Sequence, residues 1–240
     1  MCKRRKKPTE MQERGWQGYA LFRIGMALSH LLLRVRYIGQ ENLPKDTPYL
    51  AVANHQSMFD GLWIMDGIPS DQLPRFSCLA GSDLEQTYGL TGRIMFRVGK
   101  AIPIDRQGNP LRGLLLAKKT LEKGNIVLIH PEGTRTHDGR LGDMMNGAAY
   151  LANKTNSSVI PVYIDGAYEV FSRHMSLPHP IDWKRLRRKT ITIEYCPAIE
   201  PKDFANRDDL MRAINKVLYT KETQAFAKRQ KETPLKKRDK

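Results

Sequence analysis

The sequence predicts an α/β fold: a single domain with a mainly parallel mixed sheet flanked by helices, preceded by an N-terminal amphipathic helical segment. Three observations predict it. Short apolar runs bounded by turn residues recur along the chain, helical patterns fall between them, and 240 residues suffice for one large core. The expected strands are 32–37, 49–53, 75–78, 101–104, 126–129, 159–164 and 190–195. Runs such as Tyr49-Leu-Ala-Val-Ala53 and Ile126-Val-Leu-Ile129 are apolar without alternation, as in strands covered on both faces.

Helices are expected over 111–123, with Gly124 at the position that ends a helix in a left-handed turn, and over 146–154. Another is expected over 208–219, where Leu210, Met211, Ile214, Val217 and Leu218 share a face. The connection 166–184 carries Tyr168, Phe171 and Trp183 and reads as a long loop, either a second membrane-facing or substrate-covering segment or, equally, a plain surface insertion. The organisation that follows is a basic N-terminus and amphipathic helix over 1–36, an α/β domain over 37–220, and a basic tail over 221–240.

The net charge is +15, and it is localised. The runs 3–7, 184–189 and 221–240 supply the whole excess, so the rest of the chain is balanced. Such patches suit nucleic acid or an anionic membrane surface, and sign alone does not choose. The segment 15–33 holds Trp16, Tyr19, Leu21, Phe22, Ile24, Met26, Leu28 and Leu31 to Leu33, interrupted by Arg23 and His30. A charge near the middle is costly in a spanning helix, so a helix lying in the interface is expected, alongside the plain alternative of a core helix. No small-residue cleavage site closes the stretch as in a signal peptide. The cysteines at 2, 78 and 196 are scattered, which argues against a disulfide framework or zinc cluster and for a reducing compartment.

Just after the 49–53 strand comes Asn54-His-Gln-Ser-Met-Phe-Asp60. Histidine titrates near neutrality, so His55 is a candidate general base, and Asp60 could fix its tautomer. Equally, Ser57 and Asp60 have the spacing of a capping box at the start of a helix beginning near Ser57. Further on, His130-Pro-Glu-Gly-Thr-Arg135 follows the 126–129 strand, and Gly99 to Arg106 ends another. Gly133 allows close backbone approach, and Arg135 and Arg106 offer planar forks suited to phosphate. In a parallel sheet such turns gather at the strands' carboxyl ends.

With these blocks in order, and Val159-Ile-Pro-Val162 after them, the chain resembles the glycerolipid and lysophospholipid acyltransferase family over about 39–199. The resemblance implies that His55 is a general base and Asp60 its partner in an HX4D motif. It also implies that Arg106, Glu132, Gly133, Thr134 and Arg135 surround the acceptor's phosphate. The reaction implied moves an acyl group from acyl-CoA or acyl carrier protein to the free hydroxyl of 1-acyl-glycerol-3-phosphate, giving phosphatidate. No cofactor or metal is expected, and the implied location is peripheral, on the cytoplasmic face of a membrane.

Two departures stand out. Asp143-Met-Met-Asn146 occupies positions where the family commonly has an aromatic and a basic residue before a glycine, which leaves another lysolipid acceptor open, a different lysophospholipid or an amino-acid-derived lysolipid. His130 replaces a usual aromatic and is read as packing. Ser57 is not expected to act as a nucleophile, since no Gly-x-Ser-x-Gly elbow surrounds it. The contrasting class, a non-catalytic basic module binding membrane or nucleic acid, would require neither His55 with Asp60 nor the ordered blocks.

Overall fold

The computed structural model describes residues 14–106 and 108–232, so the basic run 3–7 and residues 233–240 lie outside the described residues. In chain order the elements are α1 (Gly15–Leu32), β1 (Arg34–Ile38), β2 (Tyr49–Ala53), α2 (Asp60–Asp66), β3 (Phe76–Gly81), α3 (Leu84–Val98), β4 (Ile102–Ile104), α4 (Leu111–Glu122), β5 (Ile126–Ile129), α5 (Gly147–Thr155), β6 (Ser158–Asp165), α6 (Ala167–Phe171), β7 (Ile181–Asp182), β8 (Arg187–Arg188), β9 (Thr190–Tyr195) and α7 (Arg207–Glu232). Among the described residues seven strands form one sheet in the order β1-β9-β6-β2-β5-β3-β4, and β7 with β8 makes a separate hairpin. Every pairing in the large sheet is parallel except β6 with β9.

The continuous apolar strands are those buried on both faces. Along β2, Tyr49, Ala51 and Ala53 join a core cluster with Phe22 and Met26 of α1 and Trp63 and Ile64 of α2. Leu50 and Val52 point the other way, into a cluster with Ala117 and Leu121 of α4, Ala148 and Leu151 of α5, and Leu210 and Ile214 of α7. The expected termination of α4 holds, with Gly124 at φ +79°.

Several expectations shift. The helix after His55 starts at Asp60 rather than near Ser57. Over 166–184 the chain is not a plain loop: α6 opens it, and its end enters the β7–β8 hairpin. No helix was expected over 84–98, yet α3 forms there across a kink at Gly89, at φ +53°. Nor is 221–240 a tail from its start. α7 continues to Glu232, held by charges that periodicity does not register: Lys221 to Glu194 at 2.5 Å, and Arg229 to Asp165 and Glu169.

At the start of α1 sits a buried cation. Arg14 is 2% exposed, and its guanidinium donates to the carbonyls of Val98 (2.6 Å), Leu73 (2.6 Å) and Phe76 (2.7 Å). It pins α1 to the end of α3 and the entry of β3. The contact continues along the helix, where Trp63 Nε1 donates to Ser29 Oγ at 2.9 Å and His30 Nε2 lies 2.8 Å from Asp66 Oδ2. Truncating Arg14 leaves three buried carbonyls unpaired. Arg14→Met is expected to cost about 3 kcal/mol or more in urea unfolding, on the order of 1 kcal/mol per orphaned acceptor. A loss under about 1 kcal/mol would show that the three bonds contribute little.

Candidate active site

β2 is flanked by β5 and β6, and β3 and β4 follow beyond β5, all parallel. Their carboxyl ends therefore lie at one edge of the sheet, and His55, His130 to Arg135, Gly81 to Asp83 and Arg106 line one groove there, of about 740 Å³.

The turn carrying His55 is built from its neighbours. Asn54, buried, donates its side-chain N–H to the Ile164 carbonyl (2.9 Å) and accepts from the Ile164 N–H (2.7 Å), locking the end of β2 onto β6. Next, the backbone N–H groups of three consecutive residues are consumed by two carboxylates. That of His55 donates to Glu132 Oε1 at 2.7 Å, and those of Gln56 and Ser57 donate to Asp60 Oδ2 at 2.7 and 2.8 Å. Gln56 Oε1 accepts from the N–H groups of Ala167 (3.1 Å) and Tyr168 (3.2 Å), tying the turn to α6.

Asp60 is fully buried, and its Oδ2 also faces His55 Nδ1 at 2.9 Å. Because Oδ2 already accepts two N–H bonds, the ring nitrogen is the donor. Nδ1 carries the proton, and the Nε2 lone pair is free. The ring keeps 19% of its surface exposed, on the groove side. Burial, then the positive charges of Arg135 and Arg106, hold the His55 pKa well below the usual histidine range, so the imidazole is neutral at neutral pH. Burial pushes the Asp60 carboxyl up, opposed by His130 and by the Ser57 and Gln56 N–H donors.

His130 packs face to face on His55, with ring centroids 4.0 Å apart and planes 9° from parallel. Its Nδ1 is 3.0 Å from the carbonyls of both Ala53 and Asn54. Carbonyls only accept, so this nitrogen too is protonated. The residue fills an aromatic's place as expected and adds an anchor to the strand end.

Arg106 and Arg135 both reach the groove, but each is held. Arg106 donates to the Gly133 carbonyl (2.9 Å) and pairs with Asp83 (3.0 Å), while Arg135 donates to the Tyr88 hydroxyl and lies over its ring. Gly133 adopts φ +69°, and a Cβ there would collide with the Met145 methyl. Thr134 is exposed at the groove. Glu132 lines the groove too, and its partners give it a structural task there. Both oxygens accept backbone N–H bonds, from His55 and from Gly142 (2.9 Å), and a carboxylate offers an anion no donor. It clamps the turn, and burial raises its pKa to about 7 against the pull of those two donors. Much of the remaining wall is apolar, with Met58 and Leu62 from the α2 side, Leu79 from β3, Met95 from α3 and Leu114 from α4, while Arg173 adds a third guanidinium group.

A family model described as Acyltransferase matches residues 34–165, more than half of the sequence. The chain belongs to the acyltransferase family. It is 34% identical over 136 residues to a chloroplast 1-acyl-sn-glycerol-3-phosphate acyltransferase of Brassica napus, covering 55% of this chain and 37% of that protein. It is 30% identical over 144 residues to 1-acyl-sn-glycerol-3-phosphate acyltransferase alpha of Mus musculus, covering 59% and 48%. The chain thus spans less than half the length of these two relatives. The crystal structure of the 1-acyl-sn-glycerophosphate acyltransferase of Thermotoga maritima superposes with a TM-score of 0.67 over 86% of this chain and 79% of that one, at 24% identity, a likeness of fold.

Asp83 and Tyr88, which hold the two arginines, were not legible in the sequence, because α3 itself was not. Asn54 had a faint signal, a polar residue directly after a fully apolar strand. For this family member the tautomer argument is testable without turnover. In an imidazole nitrogen NMR titration, His55 is expected to show the Nδ1–H tautomer and to take up a second proton only well below pH 6.5. Protonation at an ordinary histidine value would contradict the desolvated, cation-flanked setting.

Proposed function

We propose that this chain transfers an acyl group from an acyl thioester, acyl-CoA or acyl carrier protein, to the free hydroxyl of 1-acyl-glycerol-3-phosphate, giving phosphatidate. One observation carries this reading. A neutral imidazole with a free Nε2 opens onto a groove lined by the guanidinium groups of Arg106, Arg135 and Arg173 and by a run of apolar side chains. A lysophospholipid has that profile, an anionic head and an apolar chain. The family match and the names of the relatives support the same acceptor.

In the proposed reaction, His55 Nε2 takes the hydroxyl proton as the acceptor oxygen attacks the thioester carbonyl carbon. The carbon–sulfur bond then breaks, and the leaving thiolate takes the proton back from the imidazolium. Asp60 keeps Nδ1–H pointed away from the groove and stabilises the transient imidazolium. Arg106 and Arg135 bind the phosphate by exchanging Asp83 and Tyr88 for its oxygens, and Gly133 and Thr134 border that position. The Met145 methyl above Gly133, an apolar group where the family commonly has a basic residue nearby, favours a second acceptor reading, a lysolipid whose head group is less anionic than phosphate.

The enzyme is proposed to work on a membrane surface, peripherally and on the cytoplasmic face. No helix among the described residues is long and apolar enough to cross a membrane. α1 buries Phe22 and Met26 in the core but presents Trp16, Ile24, Leu28 and Leu31 outward, 77%, 67%, 54% and 68% exposed. These four share the side opposite the buried residues, as in a helix lying in an interface.

His55→Ala is expected to reduce acyl transfer by about 10³-fold or more while the fold is retained, and Asp60→Asn by a similar factor, by analogy with other base–orienter pairs. Assay of the purified variants with lysophosphatidate decides the matter. If Asp60→Asn lost about 1 kcal/mol of stability and kept full turnover, Asp60 would be a helix cap alone. Arg135→Ala is expected to raise the acceptor KM about tenfold or more and leave the donor KM unchanged. Equal acceptor KM values would remove Arg135 from the phosphate site.

A further inference from the structure

The β7–β8 hairpin carries a surface that the acyl-transfer site does not use. Its turn and second strand, Trp183-Lys-Arg-Leu-Arg-Arg188, run into Lys189, so five cations in seven residues surround two large apolar side chains. Trp183 is 77% and Leu186 83% exposed, the latter at φ +46°, a left-handed backbone that a leucine adopts only at a conformational cost. Nothing among the described residues covers them. Among the described residues Asp182 is the only acidic partner of the run and lies loosely between Arg185 (4.0 Å) and Arg187 (3.9 Å), so one carboxylate stands against five cations and meets two of them.

The hairpin is attached where it matters. Arg188 donates to the carbonyls of His30 (3.1 Å) and Leu31 (3.0 Å), the unsatisfied carboxyl end of α1. At its base the Lys189 N–H donates to Pro180 (2.8 Å), and the Lys189 carbonyl accepts from the Arg34 N–H (2.9 Å). The hairpin is thereby fastened to the last turn of α1, the turn that presents Leu28, Leu31 and Leu32 to solvent.

We propose that the 181–188 hairpin is a second membrane-docking element, which inserts Trp183 and Leu186 among the head groups of an anionic lipid leaflet beside α1 and holds anionic lipid with Lys184, Arg185 and Arg187. The inference rests on the reading that α1 lies in a membrane surface, and it adds lipid-charge selectivity to it. An indole beside long basic side chains is the chemistry of the membrane interface: the ring sits at head-group level, and the stems of Lys and Arg run along apolar surface while their heads reach phosphate. Continuity with the outward apolar face of α1 favours a bilayer over nucleic acid, which would need no aliphatic surface. Two attachment points also fix what one helix leaves free, the rotation of the domain about the α1 axis, and so set which way the groove faces the lipid.

The test uses the full chain and vesicles of phosphatidylcholine with and without phosphatidylglycerol, read by sedimentation and by quenching of tryptophan with brominated lipid. Lys184→Gln with Arg185→Gln is expected to weaken binding to the anionic vesicles about thirtyfold, at roughly a factor of five per charge, and to leave binding to phosphatidylcholine alone unchanged. Trp183→Phe is expected to lose a distinct fraction of the lipid quenching while remaining bound. Ile24→Ser with Leu31→Ser is expected to weaken binding to both vesicles. If the wild-type chain binds neither, the α1 reading itself fails. If the wild type binds, the charge variant binds equally and Trp183→Phe quenches like wild type, the hairpin proposal is overturned while α1 stands. A charge variant that loses affinity for an RNA or DNA oligonucleotide but none for anionic vesicles would overturn it in favour of nucleic acid.

Discussion

Three consecutive backbone N–H groups, those of His55, Gln56 and Ser57, point into the space between two carboxylates, and the rest of the site depends on how they are satisfied. Such groups buried without partners would each cost on the order of 1–3 kcal/mol. Here Asp60 takes two and Glu132 one, and the two acids come from different segments, one from the helix that follows β2 and one from the loop that follows β5. The arrangement joins the neighbouring strand ends through their turns. It also leaves Asp60 Oδ2 as the acceptor that assigns the His55 tautomer. One oxygen therefore serves structure and chemistry together: Asp60 reaches back to the Ser57 N–H and to the imidazole, which is only half of a capping box, since the helix starts at Asp60 and the Ser57 hydroxyl accepts from the Phe59 N–H (3.4 Å) instead.

The sheet order explains why distant blocks of sequence meet. β2 and β5 are adjacent and parallel, so turns 77 residues apart in sequence place His55 and Glu132 within a hydrogen bond, and His130 stacks on His55. β6, on the other side of β2, supplies Ile164 to the Asn54 clamp. Thr136 closes the frame, its N–H donating to the His55 carbonyl at 2.8 Å. The histidine is thus held through its N–H, its carbonyl, its ring nitrogen and its ring face, and only the edge bearing Nε2 is left to the groove. Such restraint favours catalysis, because little reorganisation remains when charge develops on the ring.

The sheet was legible because its strands are written as unbroken apolar runs between turn residues, and the elements that carry His55 and Arg135 fell where those runs end. What stayed illegible was held by polar contacts. α3 has a glycine break and few buried apolar residues, the end of α7 is retained by Lys221 and Arg229 finding acidic partners, and Arg14 anchors α1 by three backbone carbonyls. The end of α7 and the Arg14 anchor leave no periodic mark, since a side chain's charge does not disclose which distant group it will meet. Glu132 makes the same point within the site. Its place in the Pro-Glu-Gly-Thr-Arg block associated it with a phosphate, whereas its partners show an acceptor used for backbone donors, which only three-dimensional proximity could reveal.

The element that was least visible in sequence holds the two arginines of the proposed phosphate site. Asp83, just before α3, and Tyr88, within it, occupy the arginines that a phosphate would need. Neither partner is expensive to displace. The Asp83 side chain is 50% exposed, so its pairing with Arg106 is worth about 1 kcal/mol or less, and a hydroxyl is a weaker partner for a guanidinium than a doubly charged phosphate. Holding two long cations in place costs them rotamer entropy beforehand, and part of that cost is then absent when an anion binds. The exchange also has a direction. Under the proposed function, a phosphate entering between Arg106 and Arg135 would release Asp83 and Tyr88 together, and both stand at the amino-terminal end of α3, on the far side of the Gly89 break from Phe96 and Val98, which are packed in the core.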